Sequence, residues 1–285
     1  MGRKKKEVIK MENGSTISVV DTGEEYKGHS DRAHALLSPS SLSRLFLCPG
    51  SVALSEGIEQ TPSEYAFEGT RAHEASEYLL IATLKQSIGF NGFDGDFYTA
   101  EMQKYAQRYV KIVMSALSKL KDATVKVEET VALTDKTWGT LDFCAYNDDW
   151  LLILDYKFGK KKVQVKENLQ LMCYAAAACN TFQIKPKSIK LAIYQPRSNT
   201  KKKLSSWDTT YDYLENWLDS LWEVEDKVME AIDKYKEGKD IKNYLYMGGA
   251  GHCWFCPAKD TTCPLQKEAR EARAEECISM LDILD

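Results

Sequence analysis

With 285 residues, 44% hydrophobic and 28% charged, the chain has the length and composition of one large globular domain, or of a core domain with additions. Its formal net charge of −4 excludes a nonspecific polycation. No run of about 18 apolar residues occurs, which excludes a membrane-spanning helix.

Residues 1–36 are polar and lysine-rich, and are expected to form a flexible basic arm. The opening Met1-Gly2-Arg3-Lys4-Lys5-Lys6 leads into no apolar segment, so no secretory signal is expected, and the cytosol of the cell that makes the chain is its expected place. Serines in Leu37-Ser38-Pro39-Ser40-Ser41-Leu42 start a helix that Cys48-Pro49-Gly50 stops. Glu64 to Gln86 reads as a helix with Ala66, Ala72, Ala75, Leu79 and Leu80 apolar, Gly89 to Gly95 as a loop, and Thr99 to Leu120 as a second long helix. The period then changes. Val125 to Val131 alternates like a strand, Leu141 to Tyr146 is a second strand, and Asn147-Asp148-Asp149 is a turn. Trp150 to Tyr156 is apolar enough for a central strand buried on both faces. A helix over Lys166 to Thr181, a strand over Ser188 to Tyr194 and a long helix over Tyr211 to Glu237 follow, then a loop rich in glycine and cysteine and a charged last helix. The fold class expected is α/β: a mixed sheet flanked by helices, in the element order of a restriction-endonuclease-like core, with residues 37–285 as a single domain.

Asp155-Tyr156-Lys157 ends the central strand, and Gly139-Thr140-Leu141-Asp142 begins the strand before it. Adjacent strands can bring Asp142 and Asp155 together, and two neighbouring carboxylates call for a divalent cation. Mg²⁺ or Mn²⁺ suits oxygen ligands with phosphate as the other partner. Lys157, two residues beyond Asp155, projects from the same face and can assist an attacking water. Lysines at 157, 160, 161, 162 and 166, at 185, 187 and 190, and at 201 to 203 are either phosphate contacts or solvated loops.

In this order the residues resemble the RecB-like branch of the PD-(D/E)xK nucleases. Gly69-Thr70-Arg71-Ala72-His73-Glu74 resembles that branch's upstream histidine motif, which implies that His73, Asp142, Asp155 and the Tyr156 carbonyl hold the metal. Gln170-Leu171-Met172-Cys173-Tyr174 resembles its Gln-x-x-x-Tyr motif; Gln170 and Tyr174 share a helix face, and the resemblance implies that they contact DNA or brace the site. Glu128 or Glu129 matches a further glutamate of the branch, with no choice between the two.

Eight cysteines occur, and disulfides are not expected in a reducing cytosol. Cys144, Cys173 and Cys179 read as core residues, while Cys277 has no assigned role. Cys48, Cys253, Cys256 and Cys263 are flanked by loop-forming residues. Cys253-x-x-Cys256 puts two thiolates within reach of one metal, and Cys263 can join them. Zinc is the generic reading, with His252 or Cys48 as the fourth ligand. The layout, one cysteine before the core and three after it, resembles the CRISPR-associated RecB-like nucleases and the AddB nuclease domain. That resemblance implies a [4Fe–4S] cluster on Cys48, Cys253, Cys256 and Cys263, stapling the two ends of the chain.

The whole chain also resembles an uncharacterised family of phage and prophage proteins. The function expected is a PD-(D/E)xK deoxyribonuclease, an exonuclease or flap-trimming enzyme of phage recombination or replication. Its implied partners are DNA and the proteins of those processes, with no membrane role and with an oligomer compatible with the sequence. Two rivals are a noncatalytic DNA-binding scaffold of the same fold and a zinc-stabilised interaction module.

Overall fold

The structure is a computed structural model, and it describes residues 5–10, 16–21, 35–59, 63–84, 98–247 and 251–281. Local turns build the centre of its sheet. Strands β3 (Thr124–Ala132), β4 (Trp138–Tyr146) and β5 (Trp150–Tyr156) form the expected antiparallel meander. Asn147 makes the second connection tight, because its side-chain oxygen accepts the backbone N–H groups of Asp149 and Trp150 at 2.9 and 3.0 Å. Helix α5 (Leu169–Phe182) then crosses over to β6 (Ser188–Tyr194), which pairs parallel with β5, so the sheet is mixed. β5 is buried along almost its whole length, as its apolar run predicts.

Three strands were not foreseen. β7 (Leu204–Thr209) pairs antiparallel with β6 at the sheet edge; its sequence, Leu-Ser-Ser-Trp-Asp-Thr, is mostly polar. β1 (Lys5–Lys10) and β2 (Thr16–Asp21) pair antiparallel inside the segment expected to be a flexible arm, and β2 runs parallel to the start of β3. β1 carries Val8 and Ile9 and β2 carries Ile17, Val19 and Val20, β-branched residues that suit strands within this lysine-rich stretch. The sheet has seven strands in sequential order.

Helices α3 (Glu64–Leu84) and α4 (Ala100–Leu117) cover one face of the sheet. Their Ala72, Leu80, Tyr109 and Val113 pack with Val125, Phe143, Leu154 and Tyr156 in one core. Thr99 caps α4 by accepting the N–H of Met102. α5 lies against β3, β4, β5 and β6, and Asn168 caps its start, three residues later than its pattern suggests. Cys144, Cys173 and Cys179 are buried, as expected of core residues. The expected glycine loop over Gly89 to Gly95 lies outside the described residues.

The chain divides into two compact units, Met1–Pro39 with Pro62–Glu215, and Ser40–Thr61 with Asn216–Asp285. The sheet belongs to the first unit. The second holds α1 (Leu42–Leu45), α2 (Ser51–Ser55), most of α6 (Tyr211–Lys236) and α7 (Pro264–Leu281). Ser40–Thr61 finds its partners in the C-terminal segment: Phe46 stacks on Trp217 at 6.2 Å, and Thr262 donates to the Leu54 carbonyl at 2.6 Å. Pro49 and Gly50 interrupt the first helix as expected, but helix resumes in α2. No described helix is long and apolar enough to cross a membrane.

Candidate active site

Register brings the acidic residues together. β3 pairs Val127 with Phe143 and Glu129 with Leu141, which sets Glu128 opposite Asp142. β4 pairs Phe143 with Leu154, and one further step sets Asp142 opposite Asp155. Three carboxylates thus share one row across three adjacent strands. The regular ladder ends there: the Tyr156 N–H donates to the Asp142 Oδ2 at 2.6 Å instead of to a backbone carbonyl.

Helix α3 brings His73 to this row. Its Nδ1 lies 3.4 Å from the Asp142 Oδ1, and its ring tilts against Tyr156 at 5.4 Å. Ligand atoms of His73, Glu128 and Asp142 all lie within 4.8 Å of one another, close enough for one cation. The structure therefore distinguishes the two glutamates left open by sequence. Glu128 joins the site, and Glu129 turns to Lys126 at 3.5 Å. Glu128 sits at φ 49°, in the left-handed region, which a strand residue rarely adopts.

The expected ligand set included Asp155, which falls outside that spacing. Its side chain is buried, Oδ1 accepts Lys157 Nζ at 3.1 Å, and Oδ2 has no hydrogen-bond partner. A buried, unpartnered carboxylate oxygen is costly without a positive neighbour, so this donor set fits a divalent cation. Lys157 Nζ also donates to the Gln170 Oε1 at 2.8 Å, and Gln170 Nε2 donates to the Tyr174 hydroxyl at 3.5 Å. The sequence-predicted pair on α5 therefore braces the lysine. Gly139 has no room for a side chain: an added Cβ would lie 2.9 Å from Pro39 Cδ and 3.2 Å from the Tyr174 ring.

The site's titrations follow from burial and charge. Burial is the largest influence on His73 and opposes its protonation, but the charge and hydrogen bond of Asp142, with Glu128, outweigh it and raise the imidazole to about 9. Burial would also raise Asp142; its His73 partner wins and holds the carboxyl below the usual range. For Asp155 burial prevails over Lys157, and the carboxyl rises to about 6.

Sequence reasoning missed two residues. Tyr109 on α4 lines the same small cavity as His73, Glu128 and Asp142. Gln195, after β6, donates to the Gly159 and Lys161 carbonyls and accepts the Val163 N–H, fixing the loop that follows Lys157. An aromatic on an amphipathic helix reads as core, and a glutamine after a strand carries no signal.

In the second unit, Cys48, Cys253, Cys256 and Cys263 line one cavity with His252. No three of these thiols meet the 4.8 Å spacing found for His73, Glu128 and Asp142. Cys48 is buried and its sulfur accepts the Tyr246 N–H at 3.5 Å; burial raises its thiol. His252 Nε2 lies 3.4 Å from the Cys253 sulfur and 2.8 Å from the Tyr246 carbonyl.

A family model described as a protein of unknown function, DUF2800, matches residues 34–282. Among solved structures, the chain is similar to a candidate exonuclease from Eubacterium rectale, at 12% identity and a TM-score of 0.43, covering 78% of this chain and 88% of that one. It is also similar to an alkaline exonuclease from Laribacter hongkongensis, at 12% identity and a TM-score of 0.28, covering 69% of this chain and 97% of that one.

Proposed function

The chain belongs to the DUF2800 family, and we propose that it is a metal-dependent deoxyribonuclease of the PD-(D/E)xK class. One observation carries the reading: Lys157 Nζ is held between Asp155 Oδ1 and Gln170 Oε1, beside a row of carboxylates that His73 completes. An ordinary strand end would leave that ammonium to solvent.

Each residue then has a task. His73, Glu128 and Asp142, whose ligand atoms lie within 4.8 Å of one another, would hold Mg²⁺ or Mn²⁺, with Asp155 and the Tyr156 carbonyl as the further oxygens that the sequence resemblance implies. A bound ion would supply Lewis-acid polarisation of the phosphoryl oxygen and an acidified water. Lys157 stabilises charge that develops on the phosphoryl group. Gln170 orients Lys157, and Tyr174 orients Gln170. The exposed Lys160, Lys161 and Lys166 would meet the DNA backbone.

For the cysteine cavity the reading is a [4Fe–4S] cluster. Its support is the shared cavity and the all-thiolate donor set that the sequence resemblance implies. The sequence resemblance extends the reading to exonuclease or flap-trimming work in phage recombination or replication.

The direct test is end-labelled single- and double-stranded DNA incubated with the protein, with and without Mn²⁺. Cleavage is expected with Mn²⁺ or Mg²⁺ and is stopped by a chelator. Robust cleavage in excess chelator would contradict the reading, as would inert DNA at saturating Mn²⁺.

A further inference from the structure

Tyr109 is 2% exposed, and its ring packs against Tyr156 at 5.3 Å. Its hydroxyl is buried and has no hydrogen-bond partner among the described residues. A phenylalanine would fill the same space without stranding a polar group, so the hydroxyl stands out against the packing around it. Tyr109 belongs to the lining of the cavity that His73, Glu128 and Asp142 share. Burial is the largest influence on that hydroxyl, followed by the carboxylates of Asp142, Glu128 and Asp155.

Two unpaired groups therefore adjoin one acidic cluster: a donor on Tyr109 and an acceptor, the Asp155 Oδ2. The acceptor needs positive charge. The donor needs an oxygen that takes up its position when positive charge arrives. We propose that Tyr109 is a positioning residue, whose hydroxyl donates a hydrogen bond to an oxygen in the ligand shell of a cation held by His73, Glu128 and Asp142. The inference rests on the metal-dependent reading above. Ligating carboxylates are fixed by hydrogen bonds from outside the coordination shell, and loss of such a bond weakens metal binding by about 10-fold or more.

Tyr109→Phe in the full chain removes the hydroxyl and keeps the ring. Calorimetric Mn²⁺ affinity, measured well below the variant's melting temperature, decides the question. The expected result is affinity weaker by about 10-fold, with a metal-free melting temperature equal to or above that of the wild type. A tyrosine that serves only packing would leave the affinity unchanged. Wild-type affinity in Tyr109→Phe overturns the inference and leaves the nuclease reading standing. Absence of Mn²⁺ binding by the wild type overturns both.

Discussion

If His73 holds the proposed cation, a proton and a metal ion compete for its imidazole. The metal-free side chain titrates at about 9 rather than 6.5, so it is charged at neutral pH. Because the folded value lies above the unfolded one, its contribution to metal-free stability is fully present below pH 6.5 and is lost as pH rises through about 9. A cation must displace the proton. Mn²⁺ binding at pH 7 is therefore expected to release about one proton, and affinity should rise by up to about tenfold per unit between pH 7 and 9. Calorimetry in buffers of different ionisation enthalpy counts the proton; binding with none released would contradict this account of His73. The sequence marks Asp142, Asp155 and Lys157 because they lie on neighbouring strands, one of them buried, whereas His73 is marked only by the family resemblance. It leaves Glu128 and Glu129 equivalent, since simple alternation cannot register the φ of 49° at Glu128. Tyr109 carries no mark, because buried tyrosines on amphipathic helices are common core residues.

Among the elements, β3 and β4 bear the constraints that shape the site. Glu128 holds a left-handed conformation costing about 1–3 kcal/mol for a residue other than glycine. Glu128→Gly and Glu128→Ala both delete the proposed ligand atom and the carboxylate that favours protonated His73, but only glycine relieves the strain. Both variants should bind Mn²⁺ more weakly, and the glycine variant should melt no lower than the alanine variant without metal; a glycine variant that melts clearly lower would show that the strain is negligible. Gly139 obeys the opposite logic, since Pro39 and the Tyr174 ring already fill the place of a side chain. Gly139→Ala should destabilise by about 1–3 kcal/mol through overpacking, and thermal denaturation reads this as a drop of several degrees. An unchanged melting temperature would mean that Pro39 and Tyr174 yield without cost. The meander, α3, α4, α5 and β6 were legible because apolar periodicity drives their burial. β7 was not, because pairing at a sheet edge stabilises even a mostly polar strand, and β1 and β2 were not, because the surrounding lysines masked Val8, Ile9, Ile17, Val19 and Val20.

For the whole molecule, the cysteine cavity lies within the unit formed by Ser40–Thr61 and Asn216–Asp285, segments far apart in the chain. A ligand shared by Cys48 and the C-terminal cysteines would close that long loop, favouring the fold through the entropy of the unfolded chain. Cys48→Ala and Cys253→Ala should each lose iron and solubility together, read by iron analysis and by absorbance near 400 nm after anaerobic purification. A full complement of iron in Cys48→Ala would remove Cys48 from the ligand set. The local Cys-x-x-Cys was plain in the sequence, whereas the union of Cys48 with it depends on tertiary packing that no spacing encodes. The central claim is that Lys157 acts on the reaction rather than on the fold. Its ammonium is partly exposed, so Lys157→Ala leaves no large cavity, but it removes the partner of the buried Asp155, and the melting temperature must be read beside the rate. The most direct measurement is single-turnover DNA cleavage by Lys157→Ala, with Mn²⁺ and DNA affinities determined on the same protein. The account predicts a rate lower by about 10²–10³-fold, about 3–4 kcal/mol of transition-state stabilisation, with DNA binding retained. Near wild-type cleavage would contradict it and leave Asp155-Tyr156-Lys157 as an ordinary strand end.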